Sequence, residues 1–171
     1  EKRGNPYGKP SRKRAAWIEA GKEAGSGAGQ NGDGGRGVRT LAPGDETEHL
    51  FFTDSCAAYD PRIQETARAI ARVMTAAGAE IGTLGKDEVD SGPEVRRLGD
   101  AGLFADLRDT NLEALGAREF RSVVTTDPHA FHALAHSYGL EQQVRHHSQV
   151  MAELMREGKL ELQAPDDERV Y

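Results

Sequence analysis

Phe120-Arg121-Ser122-Val123-Val124-Thr125-Thr126-Asp127-Pro128-His129-Ala130 changes character at Asp127. Up to Thr126 most residues are β-branched or apolar, the composition of a strand buried on both faces. Asp127 then offers a side-chain oxygen to the free N–H groups of a helix, and Pro128 suits the first helical turn, where its missing N–H costs nothing. Phe131, Leu134 and Ala135 fall on one face of that helix, up to a stop at Gly139. A buried strand running directly into a capped helix is one half of a β-α-β unit.

The same alternation continues on both sides. Residues 49–53 form a short apolar run, and residues 61–77 follow with Ile63, Ala67, Ile70, Ala71 and Met74 at helical spacing, Pro61 at the start and Gly78 at the stop. Residues 80–84 read as a second strand. Residues 92–118 carry Val95, Leu98, Leu103, Phe104, Leu107, Leu112 and Leu115, and divide between Gly99 and Gly102 into two helices. After the strand at 120–126 and its helix, residues 143–146 read as a fourth strand leading into a helix with Val150, Met151, Leu154 and Met155 before Gly158. Residues 160–163 read as an edge strand or the start of a connection. The expected fold is α/β, a Rossmann-like three-layer arrangement with a parallel sheet of about four strands and helices on both faces.

The chain has 171 residues, enough for one sizeable core and a tail. Residues 1–20 read as a basic arm, in which Pro6, Tyr7, Pro10 and Trp17 surround a helical turn near residues 12–20. Residues 21–46 are Gly-rich and polar, so a flexible linker is expected there. The α/β domain is placed at 47–171. Lys and Arg total 22 against 28 Asp and Glu, a net charge of −6, which argues against a nucleic-acid partner held by phosphate neutralisation. Cys56 is the single cysteine, so no internal disulfide framework or thiolate-rich metal site can be built from this chain alone. No apolar run reaches membrane-spanning length, no signal-peptide layout stands at the start, and the expected location is cytoplasmic. The chain begins at Glu1 and stops at Tyr171, and a segment of a longer protein is expected.

Beyond the carboxyl ends of parallel strands, loops and helix N-termini gather. Asp54, Ser55 and Cys56 follow the first strand, Asp90 and Ser91 the loop after the second, Asp127 and His129 the third, and His146 and His147 the fourth. Four loops thus aim polar side chains at one edge. Each residue also has a local explanation: Asp127 caps a helix, Asp54 serves a turn, Asp90 and Ser91 precede the helix start at Gly92-Pro93, and Ser148 with His146 closes a strand end.

Phe51-Phe52, Tyr59-Asp60-Pro61-Arg62, Gly85, Gly92 with Arg96-Arg97 and Gly99, Asn111, Val124-Thr125-Thr126, Pro128-His129, Phe131, Leu134, Tyr138 and Val144-Arg145-His146-His147-Ser148-Gln149 occur in an order that resembles the cysteine-rich CCG module. That module is found in heterodisulfide reductases, in the iron-sulfur component of glycolate oxidase and in related Fe-S oxidoreductases. Asn5-Pro6-Tyr7-Gly8 likewise resembles the Asn-Pro-Trp-Gly stretch after the ferredoxin-like region of those proteins. In this register the family's cysteines fall on Ser55, with Cys56 one residue away, and on Asp90, Ser91, Asp127 and Ala130.

The resemblance implies a degenerate CCG-type domain in a heterodisulfide-reductase-like iron-sulfur oxidoreductase acting in electron transfer. Its own cluster site would lack thiolates and carry no cofactor, with 4Fe-4S clusters elsewhere in the full-length protein. The implied partners are other domains or subunits, including an electron-transfer flavoprotein or a quinone-linked membrane part, on the cytoplasmic face of the membrane. The segment alone is not expected to be catalytic, and no catalytic residue is assigned. The alternative is a metal-binding or hydrolytic α/β domain using Asp90, Asp127, His129 and His146 as oxygen and nitrogen ligands.

Overall fold

The structure, a computed structural model, describes residues 4–18 and 37–162. In chain order its elements are β1 (Arg39–Thr40), β2 (Glu46–Phe52), α1 (Asp54–Tyr59), α2 (Pro61–Ala76), β3 (Ile81–Thr83), α3 (Pro93–Arg97), α4 (Ala101–Gly116), β4 (Glu119–Thr125), α5 (Pro128–Ser137), β5 (Gln143–His146) and α6 (His147–Arg156). The strands form one parallel sheet in the order β1-β3-β2-β4-β5. This is the three-layer α/β fold that the alternating pattern predicts.

Period-two alternation divides the core. Phe51 and Val124 face a cluster with Ala67, Ile70, Ala71 and Met74 of α2 and Val150 and Leu154 of α6. Leu50, Phe52 and Val123 face the opposite cluster, with Phe104, Ala114 and Leu115 of α4 and Ala130, Ala133 and Leu134 of α5. Full burial of each large apolar side chain contributes about 1.5–3 kcal/mol, so these two seams hold the helices to the sheet. The chain leaves β2 toward the first face and leaves β4 toward the second. The adjacent carboxyl ends of β2 and β4 therefore diverge, which opens a crevice between them.

Two segments differ from the sequence-based expectations. The sheet has a fifth strand, β1, inside the 21–46 stretch read as linker. Only two residues long, it carries no readable periodicity, but Arg39 and Thr40 pair with Gly82 and Thr83, and Leu41 beyond it is buried. Gly82 is required there, because a Cβ would lie 2.5 Å from Leu41 Cδ2. Residues 21–36 of that stretch lie outside the described residues. Residues 160–162 form no strand, and residue 163 lies outside the described residues.

The N-terminal arm is part of the core. It makes a 3-10 turn at Ser11–Lys13, and Trp17 is buried against Phe51 with ring centroids 5.6 Å apart. Gly4 O accepts a hydrogen bond from Asp90 N at 2.8 Å.

Candidate functional site

A cleft of about 960 Å³ opens at the β2–β4 divergence. Its polar floor holds Asp54, Ser55, Cys56, Asp90, Asp127 and His129. Val95, Leu98, Leu103 and Leu107 form an apolar wall, and Asn5, Pro6 and Tyr7 of the arm form another. Leu98 is 87% exposed, so the apolar wall meets solvent.

Asp54 opens α1 with φ +54°, a left-handed conformation uncommon for a residue with a side chain. Its carboxylate accepts from Ser55 N at 2.6 Å and Ser91 N at 3.2 Å, and Ser91 Oγ donates to its second oxygen. Burial, reinforced by the charge of Asp90, pushes its pKa up to about 8. Beneath it lies a buried ion pair. Arg14 Nη1 meets Glu88 Oε1 at 2.9 Å, while Glu88 accepts from Asp54 N at 2.8 Å and Thr53 N at 3.0 Å. Arg14 Nη2 also donates to Ser55 Oγ at 3.3 Å, and its guanidinium lies 5.2 Å from the Tyr59 ring centre. Burial raises the Glu88 pKa, and Arg14 opposes that rise.

The loop at residues 89–91 is fixed from α4 and from Tyr138 at the C-cap of α5. Asn111 Oδ1 accepts from Val89 N at 2.9 Å, and Asn111 Nδ2 donates to Val89 O, Asp90 O and Tyr138 Oη. Tyr138 Oη donates to Ser91 O at 3.1 Å. Asp90 Oδ1 accepts from Gly92 N at 2.9 Å, and Asp127 Oδ1 caps α5 by accepting from His129 N at 2.7 Å and Ala130 N at 3.1 Å. Each of these two aspartates thus also serves its local turn or helix, the role open to it from sequence.

The predicted residues separate by location. Ser55, Cys56, Asp90 and Asp127 line one cleft together with His129. Ser91 is buried on Asp54, and Ala130 is buried on the core-facing side of α5. His146 does not line the cleft. It stands at the N-cap of α6, its Nδ1 2.8 Å from Ser148 Oγ and its Nε2 3.3 Å from Thr126 O. Among the described residues no three His, Cys, Asp or Glu side chains form a metal-ligating group, so Asp90, Asp127, His129 and His146 are not assembled as one.

Glu88 and Arg14 were not singled out from sequence. In Lys86-Asp87-Glu88 the glutamate looks like part of a solvated charge run, and no spacing signal ties it to Arg14, far away in the chain. Cys56 is exposed and lies 3.7 Å from Tyr7 Oη. Partial desolvation of its sulfur pushes the thiol pKa up, Tyr7 partly opposes this, and Asp127, Asp54 and Asp90 add to the rise. Desolvation and Cys56 push the Tyr7 hydroxyl up to about 12. Three carboxyl groups therefore act on one thiol, and among the described residues no Lys or Arg lines the cleft.

No protein-family profile matches the sequence, and no solved structure matches it. Known proteins do. The chain is 33% identical over 177 residues to the probable iron-sulfur-binding oxidoreductase FadF of Bacillus subtilis (strain 168), covering 99% of this chain and 23% of that protein. It is 38% identical over 120 residues to a probable membrane-anchored ferredoxin of Chromohalobacter salexigens, covering 66% of this chain and 18% of that protein. It is 29% identical over 173 residues to the EtfAB:quinone oxidoreductase of Syntrophomonas wolfei, covering 96% of this chain and 22% of that protein. The relatives are iron-sulfur and electron-transfer proteins by name, and the chain spans about a fifth of their length. Among the described residues no helix is long and apolar enough to cross a membrane.

Proposed function

We propose that this chain is a CCG-type module of an iron-sulfur oxidoreductase in which the cluster mouth has become a supporting and docking cleft. The observation that carries this reading is the convergence of Ser55, Asp90 and Asp127, three positions where the resemblance expects cysteine, on one cleft between β2 and β4. Similarity to an iron-sulfur oxidoreductase along nearly the whole chain supports the same family.

An iron-sulfur cluster does not fit this mouth. Such clusters are held by thiolates, because soft sulfur matches iron in a sulfide cage. The cleft offers one thiol, Cys56, whose pKa is raised and so disfavours the thiolate, beside carboxylates and a hydroxyl. Asp54–Ser91 and Arg14–Glu88 instead tie the same loops together through oxygen and nitrogen. Redox centres, including 4Fe-4S clusters, belong in this reading to other parts of the full-length protein. Electron-transfer flavoprotein or a quinone-linked membrane part is the class of partner, on the cytoplasmic side. The acidic, leucine-walled cleft suits a partner surface that presents a basic side chain among apolar ones.

The chain, produced anaerobically in iron-replete cells, is expected to be colourless. Visible absorption from iron-sulfide charge transfer, with iron and sulfide in stoichiometric amounts, would overturn the proposal.

A further inference from the structure

Away from the cleft, α5 carries a second set of donors that the proposed function leaves unused. His132 and His136 stand four residues apart on this helix, and both are exposed. Their ring centroids are 4.7 Å apart, with planes inclined at 59°. Residues at this spacing share a helix face, the arrangement by which paired helical histidines grip zinc. Neither imidazole is hydrogen-bonded to another described residue. His146, by contrast, has partners within reach of both ring nitrogens.

The separation can be compared with chelation geometry. With a metal–nitrogen distance of about 2.05 Å and about 1.15 Å from nitrogen to ring centre, each centroid lies about 3.2 Å from a bound ion. Two centroids would then stand about 4.5 Å apart for ligands at a right angle and about 5.2 Å apart for a tetrahedral pair. The observed 4.7 Å lies between these limits. His136 also lies in the last turn of α5, where the carbonyl end of the helix favours a cation.

We propose that His132 and His136 form a two-ligand surface site for a divalent transition ion that prefers imidazole, binding Cu²⁺ more tightly than Ni²⁺ or Zn²⁺. No third ligating side chain joins the pair among the described residues. The remaining coordination positions are therefore open to water or to a donor from a partner. This site is independent of the cleft and of whether any cluster occupies the full-length protein.

The test is isothermal titration calorimetry of the untagged chain with Cu²⁺, Ni²⁺ and Zn²⁺ in turn, on a Cys56→Ser background that removes the thiol as a competing ligand. One ion per chain is expected. Affinity should fall at least about 10-fold in His132→Ala or His136→Ala, vanish in the double variant and stay unchanged in His129→Ala. Far-UV circular dichroism of the variants should match the parent, since both side chains are exposed. The proposal is overturned if the parent binds no stoichiometric ion, if the double variant binds undiminished, or if His129→Ala abolishes binding.

Discussion

Replacing Arg14 by Met keeps the aliphatic stem but removes the charge that faces Glu88. The Glu88 side chain has no solvent exposure and that of Arg14 only 2%, so the carboxylate left behind cannot be rehydrated in place. Breaking one side of a buried ion pair typically costs about 3–5 kcal/mol, a large part of the about 5–15 kcal/mol that stabilises most domains. Glu88 can relieve part of this cost by taking a proton, because its pKa is already raised and loses its main opposing influence with Arg14. The folded variant then holds a proton that the unfolded chain has released above the ordinary glutamate range. Its deficit relative to wild type should therefore grow as pH rises above the ordinary glutamate range. In the double variant Arg14→Met/Glu88→Gln the buried charge is gone, and much of the stability should return. Urea unfolding followed in parallel by circular dichroism and by the fluorescence of Trp17, the single tryptophan, reads both the domain and the arm. The two signals should change together in wild type. A loss under about 1 kcal/mol in Arg14→Met, or a Trp17 transition well ahead of the dichroism in wild type, would refute the claim that the arm locks the cleft.

Asp54 leads to a pH prediction of its own. Between about pH 4 and about pH 8 the folded chain keeps a proton on Asp54 that the unfolded chain has lost, so stability falls as pH rises through that window. Asp54→Asn can still accept from Ser55 N and Ser91 N, and it should flatten this slope, worth up to roughly 1.4 kcal/mol per pH unit, in denaturant titrations at several pH values. Asp127→Ala removes the α5 cap and should cost about 1 kcal/mol, read as a lowered thermal midpoint. Gly92→Ala should cost more than about 1 kcal/mol, because Gly92 has φ +80° and a Cβ there would lie 2.9 Å from Phe104; an unchanged midpoint would contradict that geometry.

The fold was legible because apolar spacing and helix punctuation agree at most elements. Pro61 with Gly78, the Gly99–Gly102 break and Asp127-Pro128 each mark a helix boundary, and Asp60, Asp100 and Asp127 all cap as their positions require. β1 was hidden because two residues have no period, and Leu41 beyond it packs where Gly82 across the sheet leaves room for its side chain. Of the apolar positions at helical spacing in α2, Ala67, Ile70, Ala71 and Met74 are buried, while Ile63 in the first turn is 42% exposed. At the site, loops after parallel strands pointed to Ser55, Asp90 and Asp127 through topology. The Arg14–Glu88 lock was invisible because long-range charge pairing leaves no local pattern. Asn111 and Tyr138 stood among the residues of the family resemblance, but only the structure shows them holding the loop at residues 89–91.

If oxygen and nitrogen partners hold the cleft in place of a cluster, iron should add nothing to the stability of this chain. The decisive comparison is the urea midpoint of chelator-treated chain against chain incubated anaerobically with excess iron and sulfide. Equal midpoints are expected. A cluster bound to the native state at about 100 times its dissociation constant would add about 2.7 kcal/mol, and a rise of that order, accompanied by brown colour, would contradict the oxygen-locked cleft.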